Sequence, residues 1–213
     1  PQFYVIPKRL ARKAPLLVSM AQKLEAAGFR LIFWMMRWLS VENARRLSAF
    51  AFGLVGPFGD KAQKAKTNLA IAFPESTEEW RDQTTREIFR SLGDSAAELI
   101  KLETIWAERE QRIDFVVHPS AHELMKAKRP TIFVTAHIGP WQVAPLVTKY
   151  YDLTIGTIFA PESHRVVAEL MHGLRHFLGE KLISTEAGLR PLLKELAAGN
   201  SINMAMDTRL DSG

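Results

Sequence analysis

Apolar residues recur every three to four positions through the first half of the chain, which is the spacing of an amphipathic helix. Glycine and proline interrupt this pattern, and both are unfavourable inside a helix. The interruptions fall at Gly28, Gly56, Pro57 and Pro74. We therefore predict helices over residues 8–27, 29–39, 41–55 and 60–73.

A longer helix is predicted after Pro74. Ser76 stands where it can cap the first turn, and Glu79 follows three residues later and can reach back to the cap. Gly93 is expected to end or bend this helix before a helical segment over residues 96–105. The side chains predicted to form its buried stripe are Trp80, Ile88, Phe89 and Leu92.

From residue 113 onward, short β-like runs alternate with helical segments. The predicted strands cover residues 113–117, 131–135, 153–159, 181–184 and 201–206. The predicted helices cover residues 122–128, a segment that ends at 150, 163–178 and 187–198. Such alternation is typical of a largely parallel sheet flanked by helices. We predict an α/β fold in which a helical N-terminal part packs on this sheet.

A chain of 213 residues with 47% hydrophobic content can bury a core as one large domain or two small ones. We divide it into a basic amphipathic part, residues 1–58, and an α/β domain, residues 59–213. The α/β domain has a helical lead-in over residues 59–110 and a sheet from about residue 113. The chain has no cysteine, which excludes disulfides, thiolate nucleophiles and cysteine-type zinc sites.

The net charge of +5 is concentrated near the N-terminus, where residues 1–50 hold nine lysines and arginines against two glutamates. Aromatic and aliphatic residues are interleaved with these cations, but the longest apolar run is far shorter than the roughly 20 residues of a membrane-spanning helix. We predict a helix lying in the plane of a membrane surface, with Arg30 and Arg37 reaching headgroups and Trp34 and Trp38 at the interface. Packing of the same apolar residues on the rest of the protein is the alternative. Nucleic-acid binding is not expected, because no nucleic-acid motif accompanies the charge.

One short segment combines an apolar strand with a candidate base. His137 follows residues 131–135 and comes directly before Gly139 and Pro140. The carboxyl end of a strand in an α/β sheet opens onto a crevice that can hold a ligand, and a neutral imidazole can accept a proton there. We predict that His137 is a general base. The alternative is a strand-end histidine bonded to backbone.

The segment around His137 resembles the motif His-x-Gly-x-Trp-Glu of the lipid A biosynthesis acyltransferases. This lauroyl/myristoyl transferase family lies within the lysophospholipid/glycerolipid acyltransferase superfamily. His137, Gly139 and Trp141 match the motif, and Gln142 stands where the family has a carboxylate. Four other segments follow the family's order, so that the resemblance covers about three quarters of the chain. They are residues 68–74, 159–161, 187–198 and 206–209.

Two further departures from the family are visible. Ala160 stands where the family usually has an arginine before a proline, and Arg165 is the nearest guanidinium downstream. The family also continues past the position of Gly213 with another block and a helical part. We therefore expect the chain to lack its C-terminal part.

The resemblance implies acyl transfer from a thioester to a hydroxyl. His137 would be the base, and Gln142 could orient its ring through the amide oxygen. The alternative for Gln142 is a helix-start role, with Pro140 as the first helical residue. Asp207 also leaves the end of a predicted strand, and it could reach the same crevice and supply the missing carboxylate.

The substrate-binding residues implied by the family's segments are Gly139, Trp141, Arg165, Asp207 and Arg209. Arg209 could bind a phosphate or carbonyl oxygen bidentately, and a plain exposed loop arginine is the alternative.

A metal site and a cofactor are not expected. Glu169, His172 and His176 share one helical face, but no further ligand stands at a recognisable distance. His118 and His122 are interpreted as loop and capping residues. Nucleophile-elbow serine motifs, phosphate-binding loops and dinucleotide fingerprints do not occur in the sequence.

The partners implied by the resemblance are acyl carrier protein as donor, a phosphorylated, partly acylated lipid A precursor as acceptor, and a membrane surface. The implied location is the cytoplasmic face of the inner membrane of a Gram-negative bacterium. Two alternatives remain. The departures at Gln142 and Ala160 would also suit a catalytically silent, lipid-binding relative. An acyltransferase for another glycolipid or a lysophospholipid is the other.

Overall fold

The structure is a computed structural model that describes residues 15–160, 165–177 and 181–207. The chain divides into two compact units. The sheet unit comprises residues 1–35, 109–137 and 144–213, and the helical unit comprises residues 36–108 and 138–143. Neither unit is bounded at residue 58. The division into residues 1–58 and 59–213, with the roles assigned to each part, stays a prediction.

The described part of the first half of the chain is helical, as its periodicity predicts, and residues 8–14 of the first predicted helix lie outside the described residues. Its elements are α1 (Pro15–Trp38), α2 (Val41–Val55), a 3₁₀ turn (Gly56–Phe58), α3 (Asp60–Ala72), α4 (Glu78–Ile100) and α5 (Leu102–Ala107). The predicted break at Gly28 is wrong, because α1 runs through it. One glycine costs a helix only about 1 kcal/mol, and alanine, leucine and methionine around it favour the helix.

The start of α4 lies one residue later than predicted. Thr77 is the cap, and its hydroxyl accepts from the backbone N–H of Trp80 at 3.2 Å. The Ser76 hydroxyl instead donates to the carbonyl of Phe73 at 2.6 Å. The helix does not end at Gly93, as one of the two predicted outcomes required, since α4 continues to Ile100.

The packing of α4 on α2 explains why residue 93 is a glycine. A β-carbon at Gly93 would lie 2.6 Å from the carbonyl oxygen of Ser48, which is backbone and cannot turn away. Gly93 therefore lets α4 approach α2 closely, and a small core of Met36, Ala44 and Ala97 forms beside this contact.

The predicted buried stripe of α4 is wrong for three of its four residues. Trp80, Ile88 and Leu92 are exposed. The buried positions instead include Thr85, Gly93 and Ala97, which lie on one face at multiples of four residues. Small side chains on this face allow another helix to approach closely. The larger apolar side chains of α4 therefore lie outside this buried face.

The sheet unit holds the strands. Its elements are α6 (Arg109–Arg112), α7 (Pro119–Lys126), β1 (Ile132–Thr135), α8 (Leu146–Tyr150), β2 (Ile155–Phe159), α9 (Arg165–His176), β3 (Lys181–Ser184), a 3₁₀ turn (Thr185–Ala187), α10 (Arg190–Ala197) and β4 (Ser201–Ala205). The predicted strand over residues 113–117 is wrong. That segment has no regular structure, and Phe115 stacks on Tyr150 of α8 at 4.8 Å between ring centres.

The strands form one parallel sheet in the order β1-β4-β2-β3. Ile202 of β4 and Ile183 of β3 pack against Leu192 of α10 and form the core on one face. The predicted α/β class, with a parallel sheet flanked by helices, is confirmed. The order places β1 beside β4, which is the last strand in sequence, and so brings together two segments about 70 residues apart.

Candidate active site

The candidate site lies where β1 and β4 end. Thr135 and Ala205 are paired in the parallel register, and His137 and Asp207 each follow two residues later. The ladder extends one bond beyond the strands, because the N–H of Met206 donates to the carbonyl of Thr135 at 3.0 Å. Register alone therefore places His137 opposite Asp207.

Asp207 holds His137 with both carboxylate oxygens. The backbone N–H of His137 donates to Oδ2 at 2.7 Å, and the ring nitrogen Nδ1 lies 2.9 Å from Oδ1. The first bond fixes the backbone at the strand end, and the second fixes the orientation of the imidazole. Both side chains are partly exposed, so substrates can approach.

The charge of Asp207 sets the tautomer of the ring. The hydrogen bond with the His137 side chain lowers the pKa of Asp207 below its usual range, and the bond from the His137 backbone N–H lowers that pKa further. An ionised carboxylate can only accept, so Nδ1 carries the proton of this bond. In the neutral ring, the lone pair that can take a proton is then on Nε2.

The rest of the motif lies in a turn that belongs to the helical unit. Gly139 adopts a positive φ of 55°, and its carbonyl accepts from the N–H of Trp141 at 2.9 Å. The buried hydroxyl of Ser95 on α4 donates to the same carbonyl at 3.4 Å. The helix after the turn begins only at Leu146. The helix-start interpretation of Gln142 is therefore wrong, and its orienting role stays a prediction.

Two arginines predicted to bind substrate are not placed in detail. Arg165 is the first residue of α9, and its side chain is not described. Arg209 lies outside the described residues. The substrate-binding roles of both, together with those of Gly139 and Trp141, stay predictions.

Two of the other histidines, His118 and His122, have structural partners. His118 caps α7, where its Nδ1 accepts from the N–H of Ser120 at 3.3 Å, which confirms its capping role. His122 shares a 2.6 Å hydrogen bond with the hydroxyl of Tyr151. Within the described part of the chain, groups of three side chains suited to a metal ion do not occur.

A family model described as bacterial lipid A biosynthesis acyltransferase matches residues 24–213. The chain belongs to this family. The resemblance stated from the sequence is thus confirmed, and the activity of the family is acyl transfer. A comparison with curated proteins found no match.

For this member of the lipid A acyltransferase family, the structure changes which residue is the leading candidate for the hydrogen-bond partner of His137. The sequence motif makes Gln142 the first candidate partner of His137, and Asp207 the second. The structure gives the Nδ1 contact to Asp207. The sequence signal was available, because His137 and Asp207 each come within two residues of the end of a predicted strand. Using this signal required knowing that these two strands are neighbours in the sheet.

Proposed function

We propose that this protein moves a fatty acyl chain from a thioester, with acyl carrier protein as donor, to a hydroxyl of a lipid A precursor at a membrane. The family assignment supports acyl transfer. The observation that carries the chemistry is the pair of hydrogen bonds between His137 and Asp207, at 2.7 and 2.9 Å.

The reaction follows from the orientation of the imidazole. Nε2 of His137 takes the proton of the acceptor hydroxyl as its oxygen attacks the thioester carbonyl. The ionised Asp207 stabilises the imidazolium that results. The tetrahedral intermediate collapses with cleavage of the carbon–sulfur bond, and Nε2 returns the proton to the departing thiolate. The products are an ester and a thiol, and the histidine is regenerated.

Asp207 also supports an active enzyme over a silent relative. A carboxylate at position 142 would orient the imidazole and balance its charge. Because Asp207 already contacts Nδ1 and is ionised, this chain has a carboxylate for both tasks without one at position 142. The chemistry therefore tolerates Gln142.

The surface of α1 supports action at a membrane. One exposed apolar stripe follows its length at helical spacing, and it is formed by Met20, Leu24, Leu31, Met35 and Trp38. Arg30 and Arg37 are also exposed and form ion pairs with Glu169 at 3.8 Å and Glu103 at 3.5 Å. An apolar stripe beside cations suits an interfacial helix. Among the described helices, none combines the length and apolarity needed to cross a membrane.

The location proposed with this function is the cytoplasmic face of the inner membrane of a Gram-negative bacterium. The family assignment supports it, because lipid A biosynthesis is bacterial. A basic chain also suits the anionic donor and acceptor phosphates, since the net charge is +5.

The test is transfer of a labelled acyl group from acyl carrier protein to a lipid A precursor in detergent or membranes. His137→Ala should abolish transfer, and Asp207→Asn should lower kcat by about 10²–10⁴-fold, because the ring loses its charged partner. His172→Ala, an exposed histidine on α9, is the matched control and should keep activity. Full activity of Asp207→Asn would contradict the proposal that His137 and Asp207 act as a catalytic dyad.

Gln142→Glu separates the alternatives. If Asp207 supplies the carboxylate, this substitution should change kcat by less than about tenfold. A large gain would mean that Gln142 limits an enzyme whose carboxylate belongs at position 142. Transfer to a lysophospholipid in competition with the lipid A precursor, measured in the same assay, would identify the other acceptor class.

A further inference from the structure

Helix α2 buries small residues and exposes large apolar ones. Its buried positions include Ala44, Ser48 and Gly53. A β-carbon at Gly53 would lie 2.5 Å from the side chain of Arg90, so α2 approaches α4 closely here. The large apolar residues of the exposed side recur at helical spacing and continue into the 3₁₀ turn. They are Leu47, Phe50, Leu54 and Phe58, and we call them the α2 ridge.

The 3₁₀ turn after α2 holds the end of the ridge in place. A β-carbon at Gly56 would overlap the ring of Phe89, so the turn packs directly on α4. The N–H of Gly59 closes the turn by donating to the carbonyl of Gly56 at 3.1 Å. Phe58 lies between these two glycines and is 88% exposed. The anchored turn therefore keeps an aromatic ring on the surface of the helical unit.

An apolar ridge of this extent is unfavourable in water and indicates a contact surface. Helices that pack together in membranes use small residues at their contacts, because lipid accepts the large apolar side chains outside. The packing of α2 on α4 has the same arrangement. With 15 residues that include charged ones, α2 suits the plane of a lipid interface rather than a path across the bilayer.

Cations near the ridge indicate the charge of the surface that it contacts. Arg46 is exposed on α2, and Lys61 and Lys64 are exposed on α3, which begins two residues after the ridge ends. Within the part of the chain that the structure describes, these three cations have no ion-pair partner. Residues 43–74 hold five lysines and arginines against one aspartate. An apolar ridge with free cations beside it complements anionic lipid headgroups above acyl chains.

We propose that the α2 ridge is a second membrane contact, in addition to the stripe of α1, and that the Phe58 ring enters the boundary between headgroups and acyl chains. The inference rests on the proposed function, which places the protein at a membrane. Most of the α1 stripe belongs to the sheet unit and the α2 ridge belongs to the helical unit, so each unit would hold the bilayer through its own helix.

Charge and shape select lipid over other partners. Two copies joined through their ridges would bring their unpaired cations together, and like charges repel. A protein partner would need a groove shaped for the fixed ring of Phe58. Lipid chains adapt to the shape of an inserted side chain, and anionic headgroups supply the opposite charge.

The chain has no cysteine, so one introduced cysteine gives a single labelling site. A nitroxide is attached to Phe58→Cys, to Leu31→Cys in the α1 stripe, and to Val116→Cys. Val116 is the matched control, because it is 88% exposed like Phe58 and lies outside both helices. Electron paramagnetic resonance then compares access of oxygen, which concentrates in lipid, with access of a nickel complex, which stays in water.

Vesicles of mixed phosphatidylglycerol and phosphatidylcholine provide the lipid surface. On their addition, the labels at residues 58 and 31 should gain access to oxygen and lose access to nickel. The label at residue 116 should keep the accessibility that it has in water.

Substitutions measure how much the ridge and its cations contribute to vesicle binding. Phe58→Ser should weaken binding by about tenfold, because it removes the ring that enters the interface. Lys61→Gln and Lys64→Gln should each weaken it by about fivefold at low salt and much less at high salt. Lys126→Gln, at an exposed lysine of α7, is the control for charge. Each variant should keep the circular dichroism of wild type and its transfer activity in detergent.

Four results would overturn the proposal. A label at residue 58 that stays in water while the label at residue 31 enters lipid would leave α1 as the contact. An equal response at residue 116 would show insertion without specificity. A wild-type dimer that Phe58→Ser converts to monomer, with the label at residue 58 in water, would make the ridge an interface between copies. Labels at residues 58 and 31 that both stay in water would also contradict the membrane part of the proposed function.

The reaction is tested separately. Failure of transfer in detergent, together with a label at residue 58 that enters lipid, would contradict the proposed reaction and support the α2 ridge as a membrane contact.

Discussion

Asp207 binds the backbone and the side chain of the same histidine. Its position past β4 makes this possible, because the continued register brings its carboxylate level with the N–H of His137. The N–H of a strand end would otherwise lack a ladder partner. One carboxylate thus completes the sheet and orients the imidazole, so its loss should affect both stability and chemistry.

The first prediction concerns the pH dependence of stability at Asp207. Its folded pKa is lowered by the His137 hydrogen bonds, so its contribution is present above the unfolded value of about 3.9 and is lost as pH falls through the folded value. The difference in unfolding free energy between wild type and Asp207→Asn should therefore shrink as pH falls below about 4, where Asp207 becomes protonated in the unfolded chain. Urea unfolding at a series of pH values measures it. A difference that grows in acid would contradict the assignment.

The second prediction has the opposite sign. Glu98 on α4 is buried, and burial raises its pKa, although Arg45 at 3.3 Å partly offsets this and Asp94 adds to it. A raised pKa gives a contribution that is present below the unfolded value and is lost as pH rises through the folded value. Wild type should therefore lose stability relative to Glu98→Gln between acid and neutral pH.

The measurement for Glu98 is the same urea series, and it is compared directly with that of Asp207→Asn. The two differences should move in opposite directions with pH. If both fell in acid, the ion pair with Arg45 would dominate over the burial of Glu98.

Within the helices, a glycine is required only where the backbone of a neighbouring helix lies too close for a β-carbon. Gly93 and Gly28 both lie inside long helices, and both were expected to interrupt them. A β-carbon at Gly93 would meet the backbone of Ser48 and Ala49, whereas nothing lies within 4 Å of a β-carbon at Gly28. The two positions have the same helix propensity and different surroundings.

The third prediction uses this matched pair. Gly93→Ala should destabilise the protein by about 1–3 kcal/mol, because α4 must move away from α2. Gly28→Ala should stabilise α1 by about 0.5–1 kcal/mol, because alanine is the better helix former. Thermal unfolding followed by circular dichroism measures both. Similar effects at the two positions would mean that the α2–α4 contact is looser than the structure indicates.

For the molecule as a whole, we expect the exposed stripe of α1 and the concentration of positive charge near the N-terminus to act together in the proposed membrane binding. The stripe supplies apolar area, and each nearby cation adds on the order of 1 kcal/mol at an anionic membrane surface. Charge attraction weakens with salt, whereas apolar burial does not. Both properties can be measured on the intact chain.

The fourth prediction is that the protein sediments with vesicles that contain anionic phospholipid, and less with purely zwitterionic vesicles. Leu31→Gln, in the stripe, should weaken the binding by about tenfold, since it replaces an apolar side chain that would enter the interface. Val116→Gln, at another exposed apolar position that lies outside α1, is the control and should bind as wild type. If both variants lost vesicle binding to the same extent, the proposal that the α1 stripe binds the membrane would be contradicted.

Features that depend on neighbouring residues could be predicted from the sequence: the helical first half, the β-α alternation, the parallel sheet and the placement of His137 at a strand end. It also carried the family resemblance. Periodicity is a local property, so α2 and β3 have the predicted bounds. Predictions from local sequence were wrong where contacts with distant residues determine the structure. Gly93 is explained only by the nearby backbone of Ser48. In residues 113–117, Phe115 packs on Tyr150.

Which side chain faces the His137 ring depends on contacts between distant parts of the chain. Gln142 is close in sequence, and the motif favoured it. Asp207 is 70 residues away in sequence, and it reaches the ring because β4 inserts between β1 and β2 in register with β1. Strand order depends on how the helices between strands pack, and no single segment encodes it. The same order leaves Ile132 and Val134 exposed on β1, at the edge of the sheet.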